Sequence, residues 1–292
     1  MPKITKAIIT AAGYGTRFLP ATKVQPKEML PIIDKPIIQY LAEEAVASGI
    51  KDIIIVTRAG LHSLEDHFDS AFEIEHRLEA SGKKDILEKL KQLTRMANFV
   101  YIRQTKDLPY GNGSPLLAAQ HLIAKNEAFV YMFGDDLVKS KVPATKQLIQ
   151  TFNKTRPQAV IGVQEIPREE TNRYGIVKYK KGTKINQIVK LVEKPAASEA
   201  PSNMAVFGRY ILTDKIIKIL ENLPLGKDNE LWLADALNKL AQTERVVATP
   251  INGKWLTTGD PLRYMKAMVE FALDRKDIGP EFKEYLKSLK LN

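Results

Sequence analysis

Cysteine is absent from the 292-residue chain, which excludes a disulfide framework and any thiolate-held metal site. No apolar stretch is long enough to span a bilayer. The histidines His62, His67, His76 and His121 are scattered without metal-ligand spacing. His67, in EDHFD, reads as helix packing. The opening MPKITKAIITAAGYG lacks a signal-peptide cleavage region, so the cytoplasm is the expected compartment. Internal repeats, low-complexity tracts and linkers are missing too. Acidic charge is in deficit: 34 Asp+Glu against 44 Lys+Arg leave a formal charge of +10. Such a chain suits nucleic acid, an anionic membrane or small anionic substrates. The excess is spread along helix-like segments, as in Lys83, Lys84, Lys89 and Lys91, and no helix-turn-helix or basic–aromatic stripe accompanies it. The expectation is therefore no nucleic-acid partner and no membrane, which leaves small anions.

What is present is a 44% hydrophobic, 27% charged composition, that of a globular protein with a sizeable core. Short β-branched runs recur at 6–10 (KAIIT), 52–57 (DIIIVT), 99–103, 128–133 and 159–164. Amphipathic stretches lie between them at 37–48, 61–93 and 115–124. Strand, helix, strand at this spacing predicts an α/β, doubly wound, mainly parallel sheet. After about residue 160 the pattern changes. YGIVKY (174–179) and INQIVKLVE (185–193) flank KKGTK and read as a hairpin, 202–212 as a further strand, and 213–220, 232–241 and 261–274 as helices around a strand at 246–250. The expected organisation is one domain over 1–292, with a half at about 1–160, a second at about 161–275 and a terminal helix within 276–292, over 280–291. Trp232 and Trp255 are expected in the core or at an interface.

The strand at 6–10 opens onto AAGYGTRFLPATKVQPKEMLP. Small residues and glycines there let backbone N–H groups face an anion with no Cβ in the way. The Walker arrangement is missing, since no Gly-Lys-Ser/Thr opens a helix here, and so is the dinucleotide fingerprint: Gly13 and Gly15 make G-x-G, but Leu19 and Pro20 block the following helix. Cations give the turn its meaning. Arg17 carries a planar fork suited to phosphate, and Lys23 and Lys27 follow in a loop stiffened by Pro20, Pro26 and Pro31. The combination suits a nucleoside triphosphate attacked at its α-phosphate.

These residues resemble the N-terminal signature of the sugar-1-phosphate nucleotidyltransferases. The likeness continues through EDHFD (65–69), FGDD (133–136), RYGIV (173–177), VEKPA (192–196), APSNMAVFGRYIL (200–212) and GDPLRYMKA (259–267). PKEMLP followed by EDHFD is similar to the branch that uridylylates glucose 1-phosphate. The resemblance implies a Rossmann-like nucleotidyltransferase fold and an enzyme that needs Mg2+. UTP and glucose 1-phosphate would give UDP-glucose and pyrophosphate. It implies nucleotide contacts from Ala11, Ala12, Gly13, Gly15, Thr16, Gln104 and Gly111, with Arg17 at the β- and γ-phosphates and Lys27 at the α-phosphate. Asp135 would carry the metal. Asp136, Gly175, Glu193, Lys194 and Asn203 would hold the sugar phosphate, Lys194 gripping its phosphate. Arg17, Lys27, Asp135 and Lys194 form the expected catalytic set. A homo-oligomer, dimer or tetramer, is also implied.

Two departures stand out. Relatives read G-x-G-H-A where this chain has Gly111-Asn112-Gly113-Ser114-Pro115 after a longer loop, which leaves dTTP or another hexose 1-phosphate open. Most relatives carry an aspartate where Thr257 stands. A hydroxyl is a poorer Mg2+ ligand than a carboxylate, so the metal is expected to hang on Asp135, the triphosphate and water. Readings from other classes are a non-catalytic nucleotide-sugar sensor on the same fold and a dinucleotide-dependent oxidoreductase. The first is opposed by the presence of Lys27, Asp135 and Lys194 together, the second by the missing G-x-G-x-x-G helix.

Overall fold

A computed structural model describes residues 3–183 and 185–289. The strands are β1 (Lys6–Thr10), β2 (Pro31–Ile32), β3 (Lys35–Pro36), β4 (Asp52–Thr57), β5 (Asn98–Arg103), β6 (Ala128–Phe133), β7 (Asp136–Lys139), β8 (Ala159–Glu165), β9 (Gly175–Tyr179), β10 (Ile188–Glu193), β11 (Met204–Thr213), β12 (Val246–Pro250) and β13 (Lys254–Thr257). The helices are α1 (Ile37–Ala47), α2 (Ser63–His67), α3 (Phe72–Ala80), α4 (Lys84–Arg95), α5 (Ser114–Ala118), α6 (Ala144–Thr155), α7 (Lys215–Glu221), α8 (Leu233–Thr243), α9 (Pro261–Asp274) and α10 (Gly279–Ser288).

One mixed sheet runs through the molecule in the order β10-β9-β11-β6-β1-β4-β5, with β8 and β12 attached beside β11. The strands β5, β4, β1 and β6 are all mutually parallel. Strand β11 joins β6 antiparallel, meets β9 at Ala205 and carries β8 antiparallel along its opposite edge. The expected α/β architecture is thus observed, and the antiparallel pairs come from the C-terminal half. β1 and β4 are apolar throughout their interiors because both faces are covered. Ala7, Ile9, Ile53 and Ile55 pack toward α1 and α6, while Ile8, Ile54 and Val56 pack toward α5, α7 and α8. Alternation with period two therefore sends successive residues into two separate cores, which gives three layers.

Several expectations shift in detail. The amphipathic stretch 61–93 is three helices, broken at Ser70–Ala71 and at Ser81–Lys83, where Gly82 takes a φ of +71°. The hairpin β9–β10 forms as expected, with Val177 opposite Leu191; Lys184 of its turn lies outside the described residues. The terminal helix runs to Ser288, and residues 290–291 of that expectation also lie outside them. The sequence reading did not contain β7 and β13, which pair as a small separate sheet with Thr257 opposite Asp136.

Candidate active site

The parallel strands end on one side of the sheet, where ligands bind in open α/β folds. β1 delivers the turn at 11–15, β4 delivers Arg58, β5 delivers Gln104, and β6 delivers Gly134 and Asp135. Two cavities open there, of about 680 Å³ and 600 Å³, and Asn112 and Trp232 belong to the walls of both.

Ala12, Gly13, Lys27, Gln104 and Gly111 line the first cavity. Ala11 is buried beneath it, its N–H donating to the Val56 carbonyl at 2.8 Å. Gly15 and Thr16 line neither cavity; the Gly15 carbonyl instead accepts the Thr22 hydroxyl at 2.7 Å. The loop around Gly111 is fastened to the segment before α8. Leu231 N–H donates to Tyr110 O at 2.7 Å, Gly113 N–H to Leu231 O at 2.9 Å and Leu233 N–H to Asn112 Oδ1 at 2.7 Å. Gly111 has a φ of +131°, and a Cβ there would fall 2.4 Å from the Leu231 carbonyl oxygen, so only glycine fits.

Arg17, Asp135, Asp136, Gly175, Glu193 and Lys194 line the second cavity. Arg17 was expected with the nucleotide, yet its guanidinium is on this side and donates to the Gly259 carbonyl at 3.2 Å. Asn203 is outside both cavities, its amide donating to Glu165 at 2.7 Å. Lys194 follows β10 with a φ of +46°, and its ammonium stands 5.5 Å from the centre of the Trp232 ring and 3.6 Å from Glu193.

The two cavities meet at an ion pair. Lys27 Nζ, from the first, lies 2.5 Å from Asp135 Oδ2, from the second. Burial works against the lysine's charge, but the carboxylates of Asp135, Glu28 and Asp136 outweigh it and raise its pKa. The Asp135 carboxyl is held below its ordinary value: burial would raise it, and the Lys27 charge and hydrogen bond prevail. Its backbone carbonyl accepts both the N–H and the hydroxyl of Thr258, at 2.7 and 2.9 Å. Gly134 permits this turn, since a Cβ on it would lie 2.2 Å from the Thr10 carbonyl.

Asp136 is buried, with burial and its neighbour Asp135 raising its pKa. Both its oxygens are engaged: Trp255 Nε1 donates to one at 2.6 Å and Gly208 N–H to the other at 3.0 Å. The carboxylate is pinned rather than free to swing toward a metal. Trp255, expected in the core or at an interface, packs against the core and also walls the second cavity, while Trp232 stands in the walls of both cavities.

Sequence reasoning passed over three charged residues. Arg173 and Arg263 line the second cavity beside Arg17 and Lys194; the first lies in RYGIV and the second in GDPLRYMKA, so both stood inside quoted motifs. Asp260 caps α9, accepting the Arg263 N–H at 3.0 Å. Glu28 is the third. It is 1% exposed, lines the first cavity, and its Oε2 finds no hydrogen-bond partner among the described residues. Burial pushes its carboxyl up to about 7 against the pull of Lys27.

Thr257 borders the Asp135 carboxylate. A Cβ built on Gly259 would lie 2.9 Å from Asp135 Oδ2 and 3.6 Å from Thr257 Oγ1. Among the described residues no group of three or more His, Asp or Glu could hold a metal ion. One accessible carboxylate with a neighbouring hydroxyl fits Mg2+ only where substrate phosphates supply further oxygens, which is how Mg2+ is commonly held.

A glycine turn with a half-buried lysine, a second cavity lined by Arg17, Arg173, Lys194 and Arg263 among its acids, and a carboxylate where the two meet define an enzyme that joins two phosphorylated substrates. The chain belongs to the nucleotidyl transferase family, which it matches over residues 6–273. It is 44% identical to the UTP–glucose-1-phosphate uridylyltransferase of Bacillus subtilis (strain 168), over 99% of this chain and 98% of that one. Among solved structures it superposes on the UTP-bound UGPase from Acinetobacter baumannii with a TM-score of 0.89 at 36% identity, covering 98% of this chain and 100% of that one. It also matches a UDP-glucose pyrophosphorylase complexed with UDP-glucose, with a TM-score of 0.84 at 37% identity, over 93% of this chain and 100% of the other.

Proposed function

We propose that the protein transfers the uridylyl group of UTP to glucose 1-phosphate, giving UDP-glucose and pyrophosphate. The observation that carries this reading is the Lys27–Asp135 pair at the junction of two cavities, one walled by the glycine turn and Gln104, the other by Glu193 and Lys194. A phosphate oxygen of the sugar phosphate attacks the α-phosphorus in line. The bond to the bridging oxygen breaks and pyrophosphate leaves. Both reactants are polyanions, so the work is charge neutralisation and alignment.

Lys27 stabilises the charge that grows on the α-phosphate, released from Asp135 as the nucleotide enters. Arg17, in the wall of the second cavity and close enough to act on Asp135, adds positive charge where the phosphates of the two substrates meet. Ala11, Ala12, Gly13, Gly15 and Thr16 shape the turn around ribose and phosphates, and Gln104 with the Gly111 loop reads the imide edge of uracil. Lys194, aided by Arg173, grips the sugar phosphate, while Glu193 and Gly175 attend the sugar; Asn203, outside both cavities, acts only through Glu165. Asp135, with the triphosphate, would hold Mg2+, and the ion would supply charge neutralisation at the phosphates. Asp136 braces the wall between strands and sugar.

The shared sheet supports one domain with a nucleotide half and a sugar half. Exposed Leu262, Met265 and Tyr285 on the C-terminal helices support a homo-oligomer, dimer or tetramer. No helix among the described residues is long and apolar enough to cross a membrane; the reading is of a cytoplasmic enzyme whose partners are small anions rather than nucleic acid. The test is pyrophosphate release across a panel of nucleoside triphosphates and hexose 1-phosphates with Mg2+. UTP with glucose 1-phosphate should lead. A clear preference for dTTP, or binding without turnover, would overturn the proposal.

A further inference from the structure

At the rim of the nucleotide cavity, Tyr14 and Tyr110 are 59% and 55% exposed, large for aromatic side chains. Their rings face each other with centroids 6.4 Å apart and planes inclined by only 21°. They arrive from different segments, Tyr14 from the turn after β1 and Tyr110 from the lengthened loop before α5. A third segment adds Arg58, after β4, whose guanidinium carbon stands 5.1 Å from the centre of the Tyr14 ring. The Arg58 Nε is buried and finds no acceptor among the described residues. The backbone carrying Tyr110 is anchored by the Leu231 N–H at 2.7 Å, so its ring does not ride on a loose loop.

Chance surface packing does not account for the combination. Two near-parallel rings left open to solvent forfeit the burial that normally stabilises tyrosine. A cation is stacked on one of them with a donor unused. All three line the same cavity as Gln104, which the proposed function assigns to the base.

We propose that Tyr14, Arg58 and Tyr110 form a stacking platform for the nucleobase, which holds its flat face while the Gln104 side chain reads its edge. The inference rests on the nucleotide reading of this cavity. Aromatic stacking is tolerant of base identity because every base presents a π face. The platform therefore supplies affinity, and discrimination among bases falls to Gln104 and the Gly111 loop.

The test is calorimetric binding of UTP, CTP, ATP and inorganic triphosphate, with Mg2+, to the full chain and to Tyr14→Ala, Tyr110→Ala and Tyr14→Phe. Each alanine variant should weaken UTP about 5- to 100-fold, the usual range for a lost base–aromatic stack. CTP and ATP should lose a similar factor, and triphosphate, having no base, should bind as before. Tyr14→Phe should restore UTP affinity. In turnover the loss should fall on KM for UTP rather than on kcat. Unaltered nucleotide affinity in both alanine variants would overturn the platform, as would equal weakening of triphosphate. A wild-type preference for ATP over UTP would instead refute the uridylyl reading, with the tyrosine variants still deciding the platform through ATP.

Discussion

Lys27 and Glu28 are adjacent in the chain and meet opposite electrostatic fates. Lys27 stays charged between carboxylates. Its replacement by alanine should cut turnover by about 10²–10³, the scale of one lost donor at a developing charge, with a smaller loss in UTP affinity by calorimetry. A kcat within twofold of wild type would remove it from the mechanism. Glu28 is buried with its folded pKa raised to about 7 from 4.5. Between those values the folded chain keeps a proton that the unfolded chain has lost, so stability falls as pH rises through that window and stays lowered above it. A shift of that size corresponds to about 3 kcal/mol. Glu28→Gln should therefore gain stability relative to wild type at pH 8 and little at pH 5; urea unfolding at both values tests the sign. Thr257→Asp puts a second carboxylate beside Asp135. The Mg2+ concentration for half-maximal activity should drop, and Mg2+ should bind measurably without nucleotide. No change in either would mean that Thr257 is too far from the metal.

Among elements, the pair β7–β13 does most to build the site, since it sets Asp136 opposite Thr257 and brings Trp255 against Asp136. Trp255→Phe keeps the ring and deletes the donor. A hydrogen bond to a charged group is worth about 1.5–3 kcal/mol, so activity should fall about tenfold through the sugar-phosphate step, while UTP binding is retained. Loss of UTP affinity as well would show that the tryptophan supports both cavities. This pair also marks where the sequence stops being legible. The long strands announced themselves by β-branched runs, and β1, β4, β6, β8, β12 and α9 emerged close to expectation, as did the β9–β10 hairpin. Four-residue strands paired across more than a hundred positions carry no local periodicity, so β7 and β13 were invisible. Motifs gave Lys27, Asp135, Glu193 and Lys194 a common neighbourhood. They could not reveal that Glu28 is buried with one oxygen unbonded among the described residues, nor that Trp232 would stand in both walls, because burial is a property of the assembled sheet.

On the scale of the whole molecule, a buried ion pair ties the halves together behind the active site. Arg209 of β11 is fully buried and grips Glu44 of α1 with two bonds, at 3.0 and 2.9 Å. It also donates to the carbonyl of Asp136 at 2.6 Å, while Glu44 accepts from Thr145 of α6. Burial would raise the Glu44 carboxyl, but the Arg209 charge overrides this and keeps it below the ordinary value. Its contribution is therefore present at neutral pH and lost as pH falls through the lowered value. Glu44→Ala strands a buried guanidinium and should cost about 3–5 kcal/mol. The double variant Glu44→Gln with Arg209→Met should cost less than the sum of the two singles in urea unfolding. Strict additivity would show that the pair is not coupled.

The Lys27–Asp135 contact gives the empty protein a form of insulation. With that lysine's charge answered by a carboxylate at 2.5 Å, the junction of the cavities is close to neutral and offers a stray anion little. A bare phosphate must win Lys27 and leave Asp135 without its counter-charge. A stray cation faces the mirror problem. Under the proposed reaction, a phosphate chain that carries its own divalent ion would satisfy both residues at once, so each newcomer would remove the other's obstacle and the two affinities would be linked. The site thus behaves as an exchange counter that trades one internal pair for two external ones, and abundant single ions gain little by visiting it.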